Sequence, residues 1–214
     1  MRFLLRLILI VVLPITILNL TSCAELDETR VLKLAHGLDP SHPVHEAMVY
    51  FGELIAEKSD GKMRLDIYPS EQLGSERETI ELLQIGSLDI TKVSTSPLEG
   101  FIPVYQIFGV PYLFRDKEHR FNILEGEIGK NLLIEPEPYR IRGLCFYDAG
   151  SRSFYTKNTP VEHPDDLVGL KIRVQESPTA LQMVRAMGGS PTPIAWGELY
   201  SALQQGIVDG AENN

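Results

Sequence analysis

Between residues 31 and 93 the chain passes repeatedly from short apolar stretches to stretches of helical spacing. Residues 31–35, apolar apart from Lys33, read as a short buried strand. Over residues 44–58, Ala47, Val49, Tyr50, Phe51, Leu54 and Ile55 fall largely on one side of a helix. Ser59-Asp60-Gly61 is turn chemistry that stops it. Met63, Leu65 and Ile67 then alternate with Arg64, Asp66 and Tyr68, the period of a half-buried strand. Residues 75–85 predict a second helix, with Ser75 and Glu78 spaced as a capping box and Gly86 as its stop. Residues 88–93 predict a third strand. Strands that alternate with helices pair in parallel through right-handed crossovers, so the fold class is α/β.

The remainder continues in the same style. Pro97, Pro103 and Pro111 break up residues 94–127, and residues 126–134 predict a helix closed by Pro136 and Pro138. Residues 140–147 and 151–156 read as strands around Asp148-Ala149-Gly150, the expected crossing between two lobes. Further strands are predicted over 170–174 and from 207 to 209, and helices over 178–187 and 198–205. The division is residues 1–22 as an export signal, 23–30 as a polar tether, 31–148 as a first α/β lobe and 149–214 as part of a second.

Arg2 and Arg6 precede an apolar run over residues 7–18, too short to span a bilayer and the right length for the core of a signal peptide. Leu20-Thr21-Ser22-Cys23 follows, and resembles a bacterial lipobox in which the Cys23 sulfur takes a diacylglycerol as a thioether. The expected location is periplasmic, lipid-anchored to a bacterial membrane. Without residues 1–22 the chain keeps 18 basic against 29 acidic side chains, a net charge of −11. That balance disfavours a nucleic-acid partner, whose phosphates need a basic face. Cys145, the other cysteine, lies in an apolar run and reads as a small core residue.

Enzyme chemistry finds little footing. The sequence has no HExxH, CxxC, GxSxG, P-loop or GxGxxG. His36, His42 and His45 lie close together but lack a metal-binding pattern, so loop and cap roles suit them. No metal, cofactor or catalytic residue is assigned. The arginines carry more. Arg152 follows Gly150-Ser151, and Arg173 shares a strand face with Lys171, opposite Leu170 and Ile172. A buried guanidinium needs a partner, and its planar fork fits a carboxylate. That carboxylate is either a protein Asp or Glu or part of a ligand.

Several segments, in order, resemble the periplasmic substrate-binding proteins of TRAP transporters, the dicarboxylate-binding type. They are Glu71-Gln72-Leu73-Gly74-Ser75-Glu76-Arg77, residues 84–90, Gly109-Val110-Pro111-Tyr112-Leu113-Phe114, residues 164–174, and residues 198–213 with the ending Asp209-Gly210-Ala211-Glu212-Asn213. The resemblance implies a two-lobed periplasmic-binding-protein-like fold with a cleft that closes on one small organic acid. It implies that Arg173 clamps the ligand carboxylate, that Arg152 and Asn213 also reach it, and that Trp196 lines the pocket. His36, Glu76 and Ser94 fall near further contact positions. Each has another reading from its residue type: Trp196 as a core aromatic, Glu76 as a helix N-terminal acid, His36 as a hydrogen-bonded structural histidine.

Members of the family run on beyond Asn214, so the resemblance implies a C-terminally truncated chain with an incomplete second lobe and exposed apolar surface. The expected function is a TRAP-type solute receptor that delivers a small organic acid to membrane permease subunits. A sugar acid such as a uronate is favoured and a dicarboxylate comes next. A ligand-binding input to a signalling protein, or an exported enzyme on the same scaffold, are the alternatives.

Overall fold

A computed structural model describes residues 29–214. The proposed export signal and Cys23 lie outside the described residues. The first sheet is built from β1 (Arg30–His36), β2 (Met63–Tyr68) and β3 (Ile90–Lys92) in the order β2-β1-β3, all parallel. Leu34 sits opposite Ile67 on one side and Ile90 on the other. The central strand is flanked on both sides, so Leu34, Ala35 and His36 at its carboxyl end are buried. Arg30 already belongs to β1, so the polar tether ends one residue sooner than the sequence predicts.

The crossovers are α1 (Pro43–Lys58) and α2 (Glu76–Gln84). Pro43 suits the first helical position, where no amide donor is needed. At α2 the capping box forms. Ser75 Oγ accepts from the Glu78 amide, and Glu78 Oε2 accepts from the Ser75 amide at 2.7 Å. The proline-punctuated stretch becomes a short α3 (Thr95–Leu98) and a 3-10 helix over Pro103–Gly109, which the sequence reading left unassigned. Then α4 (Lys117–Glu125) and α5 (Glu127–Ile134) follow.

The second sheet has β4 (Ser153–Thr156), β5 (Lys171–Val174), β6 (Ser190–Pro193) and β7 (Gly210–Asn213) in the order β4-β7-β5-β6. Only β4 runs antiparallel to its neighbour. Helices α6 (Pro178–Ala186) and α7 (Trp196–Gln205) complete the lobe. Leu167, Ile172, Val174 and Val184 form its core, with Phe154, Val161 and Leu181 packed against them.

Three expectations are corrected. Residues 140–147 form no strand. Their backbone bonds only locally, with the Ile141 amide donating to the Pro136 carbonyl and the Gly143 amide to Leu133. Alternation creates an apolar face, but a strand also needs a neighbour, and none lies beside this stretch among the described residues. Cys145 on the same stretch is exposed, not a core residue. The last strand begins at Gly210 instead of residue 207, because Gly206 closes α7 in the left-handed region (φ +71°) and Asp209 turns the chain by accepting the Lys171 amide at 2.8 Å.

The expected crossing at Asp148-Ala149-Gly150 is pinned by side chains. Asp148 accepts the Gly150 amide at 2.9 Å and pairs with Arg120, while Gly150 takes φ +82°. Val104, Ile107, Val110 and Tyr112 are exposed.

Candidate functional site

In α/β sheets a ligand crevice opens at the carboxyl ends of the strands. Here those ends face one another. His36 closes β1, Ser94 follows β3, Arg173 lies near the end of β5, Gln175 follows it, and Ile194 to Trp196 follow β6. Glu71, Glu76, Arg77, Arg173, Gln175 and Trp196 line the cleft between the two sheets. It encloses about 20 Å³, room for a single water.

Arg173 is the most constrained group in it. Its side chain is 1% exposed, and Nε donates to the Ile194 carbonyl at 2.9 Å. One terminal nitrogen, Nη1, is buried with no partner. Burial disfavours its charge and pulls the pKa down, Glu212 opposes that shift, and Arg152 adds to it. A buried guanidinium with a free N–H is electrostatically incomplete, and a carboxylate completes it.

The first lobe answers with acceptors. Glu76 Oε1 accepts from the Ser94 amide at 2.8 Å and from Ser94 Oγ at 3.2 Å, with Lys92 Nζ 3.9 Å away. Gln175 Nε2 crosses the cleft to Ser94 Oγ at 3.1 Å. Two further bonds cross between the lobes. Glu71 Oε2 accepts from the Gly197 amide at 3.1 Å, in the first turn of α7, and Glu99 Oε2 accepts from the Thr179 amide at 3.1 Å, in the first turn of α6. A carboxylate at a helix N-terminus meets free amides and the positive end of the dipole.

Of the remaining predicted residues, Trp196 lines the cleft and Arg152, Asn213 and His36 stand outside its lining. Arg152 has a protein carboxylate for partner: Nε meets Glu212 Oε2 at 2.5 Å and Nη2 meets the Glu212 carbonyl at 3.0 Å. Asn213 ends β7, opposite Ser153, and is half-buried. Trp196 opens α7 and stays 42% exposed on the cleft wall. His36 is 2% exposed and lies behind the cleft. The Leu38 amide donates to its Nδ1 at 3.1 Å, so Nε2 carries the proton toward His45 Nδ1 at 3.0 Å. Burial, helped by His45, Lys92 and His42, pushes its pKa down to about 4. Its carbonyl accepts the Glu71 amide at 3.2 Å, which ties β1 to the cross-lobe contact at Gly197.

Sequence reasoning missed Glu71, Glu99 and Gln175. Gln175 lies two residues beyond Arg173 in the same segment, and that spacing was the available signal.

The family described as bacterial extracellular solute-binding protein, family 7, matches residues 34–214. An uncharacterized protein of Salmonella typhimurium is 40% identical over 185 residues, which cover 86% of this chain and 56% of the relative. A TRAP periplasmic solute-binding protein of Anaerococcus prevotii, solved with bound D-glucuronate, superposes with a TM-score of 0.84 at 42% identity, over 86% of this chain and 60% of that one. Another, from Sulfurospirillum deleyianum with bound succinate, gives 0.82 at 32% identity, over 87% and 60%. The chain therefore spans between half and two thirds of these relatives' length.

Proposed function

Because the chain belongs to the bacterial extracellular solute-binding proteins of family 7, the TRAP solute-binding proteins, we propose that it captures a small organic acid in the periplasm and delivers it to a TRAP permease. The acid is a sugar acid such as a uronate, with dicarboxylates next. Relatives with similar folds hold glucuronate and succinate, which supports a carboxylate ligand.

The observation that carries the reading is Arg173, buried in the cleft with Nη1 unpartnered. A ligand carboxylate takes that N–H in a charge-assisted bond, strengthened where water is excluded. Trp196 supplies an apolar wall, and Glu76 with Ser94 supplies polar contacts from the first lobe. Arg152 acts through Glu212 and holds the β4–β7 pair beside Arg173. Asn213 is assigned a ligand contact at the same edge. A cleft of about 20 Å³ admits no six-carbon acid, so entry requires the lobes to part about the crossing near residues 148–149. We divide the lobes there, at 31–148 and 149–214. Cys23 anchors the protein by lipid. Binding and hinge closure need no covalent step, metal or cofactor.

Thermal-shift screening of the full-length protein against sugar acids, dicarboxylates and neutral sugars tests this. Carboxylates raise the melting temperature by mass action. Stabilisation by neutral sugars alone contradicts it.

A further inference from the structure

The cleft holds an uneven set of unsatisfied groups. Among the described residues, five buried side-chain atoms lack a partner, and three of them belong to cleft-lining residues: Arg173 Nη1, Gln175 Oε1 and Glu71 Oε1. The first is a cationic donor and the other two are acceptors. Gln175 is 8% exposed, and its amide nitrogen is already committed to Ser94, which fixes the amide orientation and leaves the carbonyl oxygen without a partner. Glu71 is fixed in the same way through Oε2 on the Gly197 amide.

The charges are uneven too. The lining carries the carboxylates Glu71, Glu76 and Glu176 against the cations Arg173 and Arg77. Arg77 is engaged elsewhere: it lies over the Phe101 ring at 4.9 Å and pairs with Glu81 at 3.3 Å. Lys92, behind the wall, faces Glu76. One cation is therefore left for a ligand, and it suits one carboxylate. A second ligand carboxylate meets the like charge of Glu71, Glu76 and Glu176 and no second free cation among the lining residues. A hydroxyl donates to such acceptors at no charge cost.

We infer that Gln175, through its unpartnered carbonyl and with Glu71 beside it, is a specificity-determining residue that reads ligand hydroxyls and selects a polyhydroxy monocarboxylate over a dicarboxylate. This rests on the proposed carboxylate-binding role of Arg173 and extends it. A site built to accept from a hydroxyl rejects a ligand without one, because its acceptors then stay buried and unpaired.

The test is calorimetric titration of D-glucuronate and of succinate into the full-length wild type, Gln175→Met and Ser94→Ala. Wild type binds glucuronate more tightly than succinate. Gln175→Met keeps the volume, removes the acceptor and weakens glucuronate about tenfold, while succinate is nearly unchanged, so the preference collapses. Ser94→Ala removes the bond that orients the amide and leaves the carbonyl present but unfixed, so the preference for glucuronate narrows in the same direction and by less than in Gln175→Met. If Gln175→Met does not fold, Gln175→Asn withdraws the carbonyl by one methylene and serves the same comparison. A preference unmoved by the Gln175 change, or a wild type that favours succinate, overturns the inference and leaves carboxylate binding standing. A wild type that binds neither acid overturns the carboxylate reading, and this inference with it.

Discussion

Arg173 and His36 are both nearly sealed from solvent, and their environments treat charge in opposite ways. The Arg173 guanidinium stays charged and lacks a partner at Nη1. His36 is held neutral, with Nδ1 occupied by the Leu38 amide and Nε2 by His45. Its pKa of about 4 lies below the ordinary 6.5, so as pH falls the unfolded chain takes up a proton first. The stability of the neutral form is intact above about 6.5 and is lost as pH falls toward 4. Denaturation at pH 7 and pH 5 should show a drop for wild type that is smaller in His36→Gln. Equal drops contradict the assignment. Arg173 was legible because alternation put a cation on a buried strand. Gln175 was not, because an uncharged amide just past a strand does not announce that the other lobe faces it.

At the scale of elements, the capping box and the crossover order were legible, because local spacing decides both. Ser75 holds the first turn of α2, and Glu76 is its first residue, so the cap also places Glu76 in the cleft. Ser75→Ala should cost about 1 kcal/mol of stability. Urea titration measures it, and a change near zero contradicts the role. The stretch over 140–147 and the strand β6 show the limit of pattern. The first has strand-like alternation and no neighbour. The second carries Pro191 and Pro193 and is tolerated because it lies at the sheet edge, where a missing amide donor costs no ladder bond. The cross-lobe bonds from Glu71 and Glu99 were also out of reach, since they join residues 126 and 80 positions apart.

The whole molecule is two α/β units whose strand ends converge on one cleft; the order of elements foretold the α/β class, and the cleft came from the resemblance to the TRAP solute-binding proteins. The contact between the units was not foretold, because it depends on how two sheets meet across the crossing segment. Among the described residues no helix is long and apolar enough to cross a membrane. The proposed lipid attachment at Cys23 predicts that Cys23→Ala moves the protein from the membrane to the soluble fraction; retention on membranes contradicts that proposal. The overall negative charge is no obstacle to an anionic ligand, since distant surface charge is screened within about 10 Å at ordinary salt while Arg173 acts at contact range. Everything in the functional reading converges on that one side chain. Calorimetric titration of D-glucuronate into full-length wild type and Arg173→Met tests it directly. The account predicts binding by wild type and at least a hundredfold loss in the variant, whose unliganded melting temperature stays level or rises because an unpaired buried charge is gone. Unchanged affinity in a folded Arg173→Met protein contradicts it.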